Sequence, residues 1–194
     1  MGKRILILQG HPDASRRHYG HALAEAYAAG AREAGHELRQ IEVAQLDFPL
    51  LRTQEDWQHG EPVPAIREAQ QALAWAEHVL IVYPLWLGAM PALLKGFLEQ
   101  LARPGFAVAA PGEAHGWQKK LKGRSARLVV TMGMPALMYR WYYRAHSLKN
   151  LERNILGFVG IAPVRASLIG LVEGNAGRRE RWLARLRKLG REAG

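Results

Sequence analysis

Five short strand-like runs, each followed by a stretch of helical or loop character, leave this chain few ways to fold. Residues 4–9, 79–83 and 126–131 are dominated by Ile, Leu and Val over lengths too short for a helix, as in strands buried on both faces. Residues 37–43 alternate imperfectly between apolar and charged side chains, which places that strand near a sheet edge, and 164–168 form the fifth run. Between them, 18–33 carries Ala22, Leu23, Ala26, Tyr27 and Gly30 on one helical face, with Gly35 positioned to end it. Residues 64–76 and 91–101 each open on a proline, where the missing amide costs nothing. A further helical region spans 136–151, and 175–191 is a basic amphipathic helix with Trp182, Leu183, Leu186 and Leu189 on its apolar side. Residues 44–63 hold Pro49, Gly60 and Pro62 and form a long connection, a length often reserved for function. No hairpin signal joins any two runs. The pattern predicts an α/β domain over residues 1–194: a doubly wound, five-stranded parallel sheet of order 2-1-3-4-5.

Composition removes several classes of function. The chain has no cysteine, which excludes disulfides, Cys-ligated zinc, iron–sulfur clusters and a thiol nucleophile. Residues 79–94 carry no charge but are too short to span a bilayer and are broken by Pro84 and Pro91. The start, Met1-Gly2-Lys3-Arg4 and a short apolar run, lacks the features of a signal peptide, so a cytoplasmic location is expected. Lys and Arg number 27 against 17 Asp and Glu, a net charge of +10, gathered at 119–127, 140–153 and 178–191. A solvated basic surface and attraction of phosphorylated cofactors or acidic partners both account for it. No nucleic-acid motif accompanies the charge, so nucleic acid is not an expected partner.

In a doubly wound sheet, ligands bind beyond the carboxyl ends of the strands. The loop after the first strand, Gly10 to Gly20, is neither a dinucleotide fingerprint nor a Walker loop. It runs into a helix start, whose free N–H groups favour an anion, and Ser15, Arg17 and His18 add donors. The loop after the third strand, Pro84-Leu85-Trp86-Leu87-Gly88-Ala89-Met90, is apolar enough to pack on a flat aromatic ring, although core or interface packing explains it equally. The loop after the fourth strand, Thr131-Met132-Gly133-Met134-Pro135, is followed by Tyr139 and His146, which share one face if the segment is a single helix. No metal-ligand set is expected.

Three pieces of the chain carry a resemblance. They are His11-Pro12; the block from Tyr83-Pro84-Leu85-Trp86 through Met90-Pro91-Ala92-Leu93-Leu94-Lys95-Gly96; and Thr131-Met132-Gly133 with Tyr139 downstream. In this order, across nearly the whole chain, they resemble the flavodoxin-like NAD(P)H:quinone oxidoreductases. That group includes DT-diaphorase, the modulators of drug activity and the ancillary reductases of potassium efflux systems. The resemblance implies a flavodoxin-like fold. It implies that His11, His18, Tyr19 and Gly20 approach the phosphate end of a flavin. Pro84, Leu85, Trp86 and Leu87 would then flank the ring, as would Thr131, Met132, Gly133 and Met134, with Tyr139 and His146 as the active-site pair. The chain departs from the family in having His18-Tyr19-Gly20 where Ser-Phe-Asn is common, and Met132 and Met134 where Thr and Gly are common.

The expected activity is two-electron reduction of a quinone-like acceptor by NAD(P)H, in two half-reactions at one site. His146 would deliver a proton, a task suited to imidazole near neutral pH. FMN is expected rather than FAD because little chain follows the fifth strand to cover an adenosine, and NADPH rather than NADH because arginines abound. The resemblance also implies a homodimer, through 138–143 or 87–98. Competing readings are reduction of azo, nitro or free-flavin substrates, a flavin-binding regulatory subunit of a membrane transporter, and a one-electron carrier. Such carriers are strongly acidic, unlike this chain.

Overall fold

The computed structural model describes residues 2–110, 112 and 118–194. The strands are β1 (Arg4–Gln9), β2 (Glu37–Glu42), β3 (His78–Pro84), β4 (Ser125–Thr131) and β5 (Val164–Ile169). They pair in parallel in the order β2-β1-β3-β4-β5, as the alternation of elements predicts. The helices are α1 (Tyr19–Glu33), α2 (Gln54–Gln58), α3 (Pro64–Trp75), α4 (Ala92–Leu101), α5 (Ala136–Trp141), α6 (His146–Lys149), α7 (Gly157–Val159) and α8 (Ala176–Glu192). Among the described residues no helix is long and apolar enough to cross a membrane.

Successive side chains of a strand point to opposite faces, so an unbroken apolar run needs cover on both. Leu6, Leu8, Val79, Ile81 and Leu128 pack with Ile66 of α3 and Phe97 of α4 on one face. Ile5, Ile7, Leu80, Val82 and Val129 pack with Leu23 and Tyr27 of α1 and Leu186 of α8 on the other. Each such buried side chain contributes about 1.5–3 kcal/mol. β2, with Glu37, Arg39 and Glu42, lies at an edge, where its charges reach water. α1 and α8 touch at two glycines: a methyl on Gly30 would collide with the Arg187 carbonyl, and one on Gly190 with that of Tyr27.

The long connection is not free chain. It contains a 3₁₀ turn at Val43–Gln45 and the short α2, capped by Thr53. Gln100 Nε2 donates to the Pro49 carbonyl (2.7 Å), and the Arg103 guanidinium donates to the carbonyls of Asp56 and Gly60.

The helical region at 136–151 differs from the sequence expectation. α5 stops at Trp141, and Arg144 and Ala145 adopt left-handed φ of 51° and 49°. The chain restarts as α6 and continues through a π-helical stretch, Asn150–Leu156, into α7. Two consecutive left-handed residues cannot sit inside an α-helix, so Tyr139 and His146 do not share one helical face.

Candidate active site

Parallel pairing brings the carboxyl ends of all strands to one rim, and three of the loops there are in contact. The loop after β1 meets the loop after β3 through His11 and Trp86, edge to face with centroids 5.8 Å apart. The loop after β3 is tied to the end of β4 by Leu85 N donating to Thr131 O (2.7 Å). The structure therefore brings together the three segments that the sequence singled out.

The first loop is built around imidazoles. His11 stacks on His18, centroids 3.7 Å apart and nearly parallel, and His21 lies within 6 Å of both. Asp13 organises the turn: its Oδ1 accepts from Ser15 N (2.8 Å) and Ser15 Oγ (2.6 Å), and its Oδ2 lies 2.8 Å from His18 Nε2. This is an Asx turn, with the carboxylate standing in for a backbone acceptor. Those Ser15 hydrogen bonds, and His18 after them, hold the Asp13 carboxyl well below the usual carboxylate range. His11 Nδ1 accepts from Asp13 N (3.1 Å) and His21 Nδ1 from His18 N (3.0 Å). Each neutral ring consequently carries its proton on Nε2, as a donor. Burial, with His18 and His21 adding to it, pushes the His11 imidazole down to about 4. Burial also lowers His21.

Beneath these rings lies Gln9, buried at the end of β1. Its Oε1 accepts from His11 N (3.2 Å), while its Nε2 is buried without a hydrogen-bond partner. Gly20, in the first turn of α1, lies beside it: a methyl there would stand 3.8 Å from that Nε2. An unpaired buried donor beside a helix N-terminus suits an anion. The other expected donors are engaged elsewhere. Arg17 pairs with Glu25 and lies 3.8 Å from Glu42, Ser15 serves Asp13, and the Tyr19 hydroxyl donates to Arg179 O (3.0 Å).

The loop after β3 is a two-residue hairpin closed by reciprocal bonds between Trp86 and Ala89, both 2.9 Å. Leu87 and Gly88, with φ of 47° and 77°, form the turn. It holds Trp86 half-exposed and Leu87 fully exposed, while Pro84 and Leu85 are partly buried. On the other flank, Thr131 and Met132 are buried, and Met134 is partly so. Gly133 is exposed, and a methyl there would meet no atom within 4 Å. This turn is backed by β5: Met132 N donates to Ile169 O (2.9 Å) and Leu171 N to Met134 O (3.2 Å).

Tyr139 and His146 are placed differently from each other. Tyr139 is buried; its hydroxyl lies 2.7 Å from Ser147 Oγ and accepts from Leu148 N (3.1 Å), which braces the corner between α5 and α6. His146 opens α6 and is exposed. Sequence reasoning missed Gln9, Asp13 and His21. The Asp-x-Ser spacing signals an Asx turn, but nothing local announces a glutamine left half-satisfied under a rim of histidines.

The comparisons agree with this fold. A family described by its flavodoxin-like fold matches residues 3–190. An uncharacterized NAD(P)H oxidoreductase of Haemophilus influenzae is 28% identical over 170 residues, covering 85% of this chain and 82% of that protein. Human ribosyldihydronicotinamide dehydrogenase [quinone] is 32% identical over 89 residues, covering 46% of this chain and 38% of that protein. Among solved structures, an NAD(P)H:quinone oxidoreductase from Methanothermobacter marburgensis superposes with a TM-score of 0.80 at 26% identity, covering 100% of both chains. With the strand order, the three converging loops and a match over nearly its full length, this chain belongs to the flavodoxin-like family.

Proposed function

We propose that the chain is a flavin-dependent NAD(P)H oxidoreductase that reduces a quinone or similar small acceptor by two electrons, with donor and acceptor using the same face in turn. It is an enzyme of the NAD(P)H dehydrogenase type, as its relatives are named. The observation that carries this reading is the convergence of the β1, β3 and β4 loops on one rim. The residues there fit FMN. His11, His21 and the first turn of α1 offer donors to a phosphate, with His18 held against Asp13 and stacked on His11, and the orphaned Gln9 Nε2 faces the same turn. Trp86 and Leu85 supply an apolar wall, with Thr131, Met132 and Met134 opposite, and the open backbone at Gly133 leaves an N–H for a ring's polar edge.

When bound, a flavin supplies the hydride relay between a nicotinamide and the acceptor. The protein's share is to hold two flat rings in contact, which the apolar walls achieve by excluding water. His146, exposed at the start of α6, would deliver a proton to the reduced acceptor. Tyr139 is a positioning residue that fixes the corner carrying His146. A homodimer would form through the α4 side, where a cleft of about 470 Å³ is lined by Trp57, Leu98, Ile155 and Phe158 together with the charged Arg52, Lys95 and Glu99.

The test is anaerobic mixing of FMN-reconstituted protein with NADPH, followed by a quinone. Rapid bleaching of the flavin band and its full return on quinone addition are expected. A protein that takes up no flavin, or whose flavin ignores both nicotinamides, overturns the reading.

A further inference from the structure

The open edge of the sheet at β5 carries a groove that the reaction does not use. Its volume is about 650 Å³, and its walls come from two parts of the chain far apart in sequence. Arg140, Trp141, Arg144 and Lys149 stand on the α5–α6 side, Trp182 and Arg185 on α8. Two of the three basic clusters in the sequence, 140–153 and 178–191, thus face one another across the edge strand.

Three observations decide what the groove accepts. The first is charge. Arg140, Arg144, Lys149 and Arg185 are exposed, and none pairs with a carboxylate among the described residues; Arg185 lies over the Trp182 ring at 4.9 Å. Glu152 is the one acidic residue on the groove's lining. The second is the floor, formed by Ala166, Ser167 and Leu168 of β5. Ala126 N donates to Pro163 O and Met132 N to Ile169 O, both 2.9 Å. Parallel pairing uses alternate residues, so the odd-numbered residues of β5 turn their backbone groups toward β4. The N–H and C=O of Ala166 and Leu168 accordingly point away from the sheet, unclaimed by any strand. The third is the contrast with the other edge. β2 is guarded by Glu37, Arg39 and Glu42, whereas β5 carries one charge, Arg165.

We propose that this groove docks an extended acidic segment of a partner protein. The segment adds to the sheet beside β5, its backbone pairing with Ala166 and Leu168 while its carboxylates meet the four cations. A second copy of this chain does not fit, because it would bring the same cations face to face. A nucleic acid strand would satisfy the cations and stack on the two tryptophans but would leave the outward amides and carbonyls unmatched.

The test uses a fluorescein-labelled ten-residue peptide of alternating Glu and Val, followed by anisotropy. The peptide is expected to bind, and to weaken about tenfold or more between about 0.05 M and 0.3 M salt. The double variant Lys149→Glu/Arg185→Glu is expected to lose about tenfold or more in affinity while its circular dichroism and melting curve stay unchanged. Ala166→Pro removes one outward N–H without touching charge, a change tolerated at a sheet edge, and is expected to weaken the peptide similarly. The same peptide N-methylated at alternate residues tests strand pairing without altering the protein. No binding of the parent peptide, equal binding of the N-methylated peptide, or tighter binding of a ten-residue oligothymidylate would each overturn the proposal.

Discussion

His11 is held neutral by its own fold. Its ring is buried, stacked on His18 and fixed by the Asp13 amide, and it becomes protonated only near pH 4 in the free protein. A phosphate placed among these rings gains Nε2 donors from His11 and His21. Replacing His18 with Ala removes the stacking partner and opens the loop. FMN affinity is expected to fall by about tenfold while riboflavin, which lacks the phosphate, binds as before. Titration of flavin fluorescence with both ligands checks this. A second histidine makes the fold itself pH-sensitive. His78, buried at the start of β3 with Nδ1 2.7 Å from Ser125 Oγ, is pushed down to about 4, chiefly by burial and then by Lys3 and Arg127. Its folded-state value lies below its unfolded one, so the unfolded chain takes up the proton first as pH falls. Stability is thus complete above about pH 6.5 and declines from there toward pH 4. Urea unfolding at pH 7 and pH 4.5 is expected to show this loss, with His78→Gln retaining about 2 kcal/mol more of its stability at the lower pH than the parent does.

At the scale of elements, two arrangements govern behaviour. The first is the α1–α8 contact at Gly30 and Gly190, where backbone meets backbone. Gly30→Ala gains helix propensity but drives a methyl into the Arg187 carbonyl, so the two helices must separate. A net loss of about 1–3 kcal/mol is expected, measured as a shift of the denaturant midpoint with an unchanged slope. The second is the broken helix at 136–159. Its corner is held by the Tyr139 hydroxyl, which lies against Ser147 Oγ and accepts the Leu148 amide. Tyr139→Phe leaves that buried amide without its acceptor, at a cost of about 1–3 kcal/mol. It is also expected to slow turnover by displacing His146, whereas His146→Ala slows turnover with stability unchanged. Flavin content stays near that of the parent in both. Full activity in both variants would remove this pair from the reaction.

For the whole molecule, the site is assembled from three loops separated by about 40 to 75 residues of chain, so whatever fills it binds only the folded state. FMN at a hundred times its dissociation constant is expected to stabilise the fold by about 2.7 kcal/mol. A thermal melt with and without FMN reads this directly, and no shift would mean that the rim holds no FMN. The charge of +10 is unevenly used. Arg187 and Arg191 share the single carboxylate of Glu33, whereas the cations flanking β5 are not paired with carboxylates among the described residues.

Local patterning alone determined the five strands, the helices α1, α3, α4 and α8, the edge position of β2 and the three loops that meet at the rim, but not α2 or the break of the helix expected over 136–151. Apolar runs, prolines at helix starts and glycines at helix ends act over a few residues, so the sequence displays them openly. His11, Trp86 and Gly133 were pointed to as site candidates by the family resemblance, and each sits where a strand ends, the position that local patterning does display. Only the tertiary structure decided that His18 stacks on His11, that Arg17 is spent on Glu25 and Glu42, and that the Tyr139 hydroxyl is already engaged. It alone decided that the basic residues at 140–149 and Arg185 share one groove. Some of these facts depend on bringing together residues distant in sequence, such as Arg17 with Glu42 or Arg140 with Arg185. The others depend on how a loop turns back on itself over seven to nine residues, as at His11 and His18, or on the pair of left-handed residues at Arg144 and Ala145. Periodicity carries no information about such contacts, because they arise from how the helices settle on the sheet.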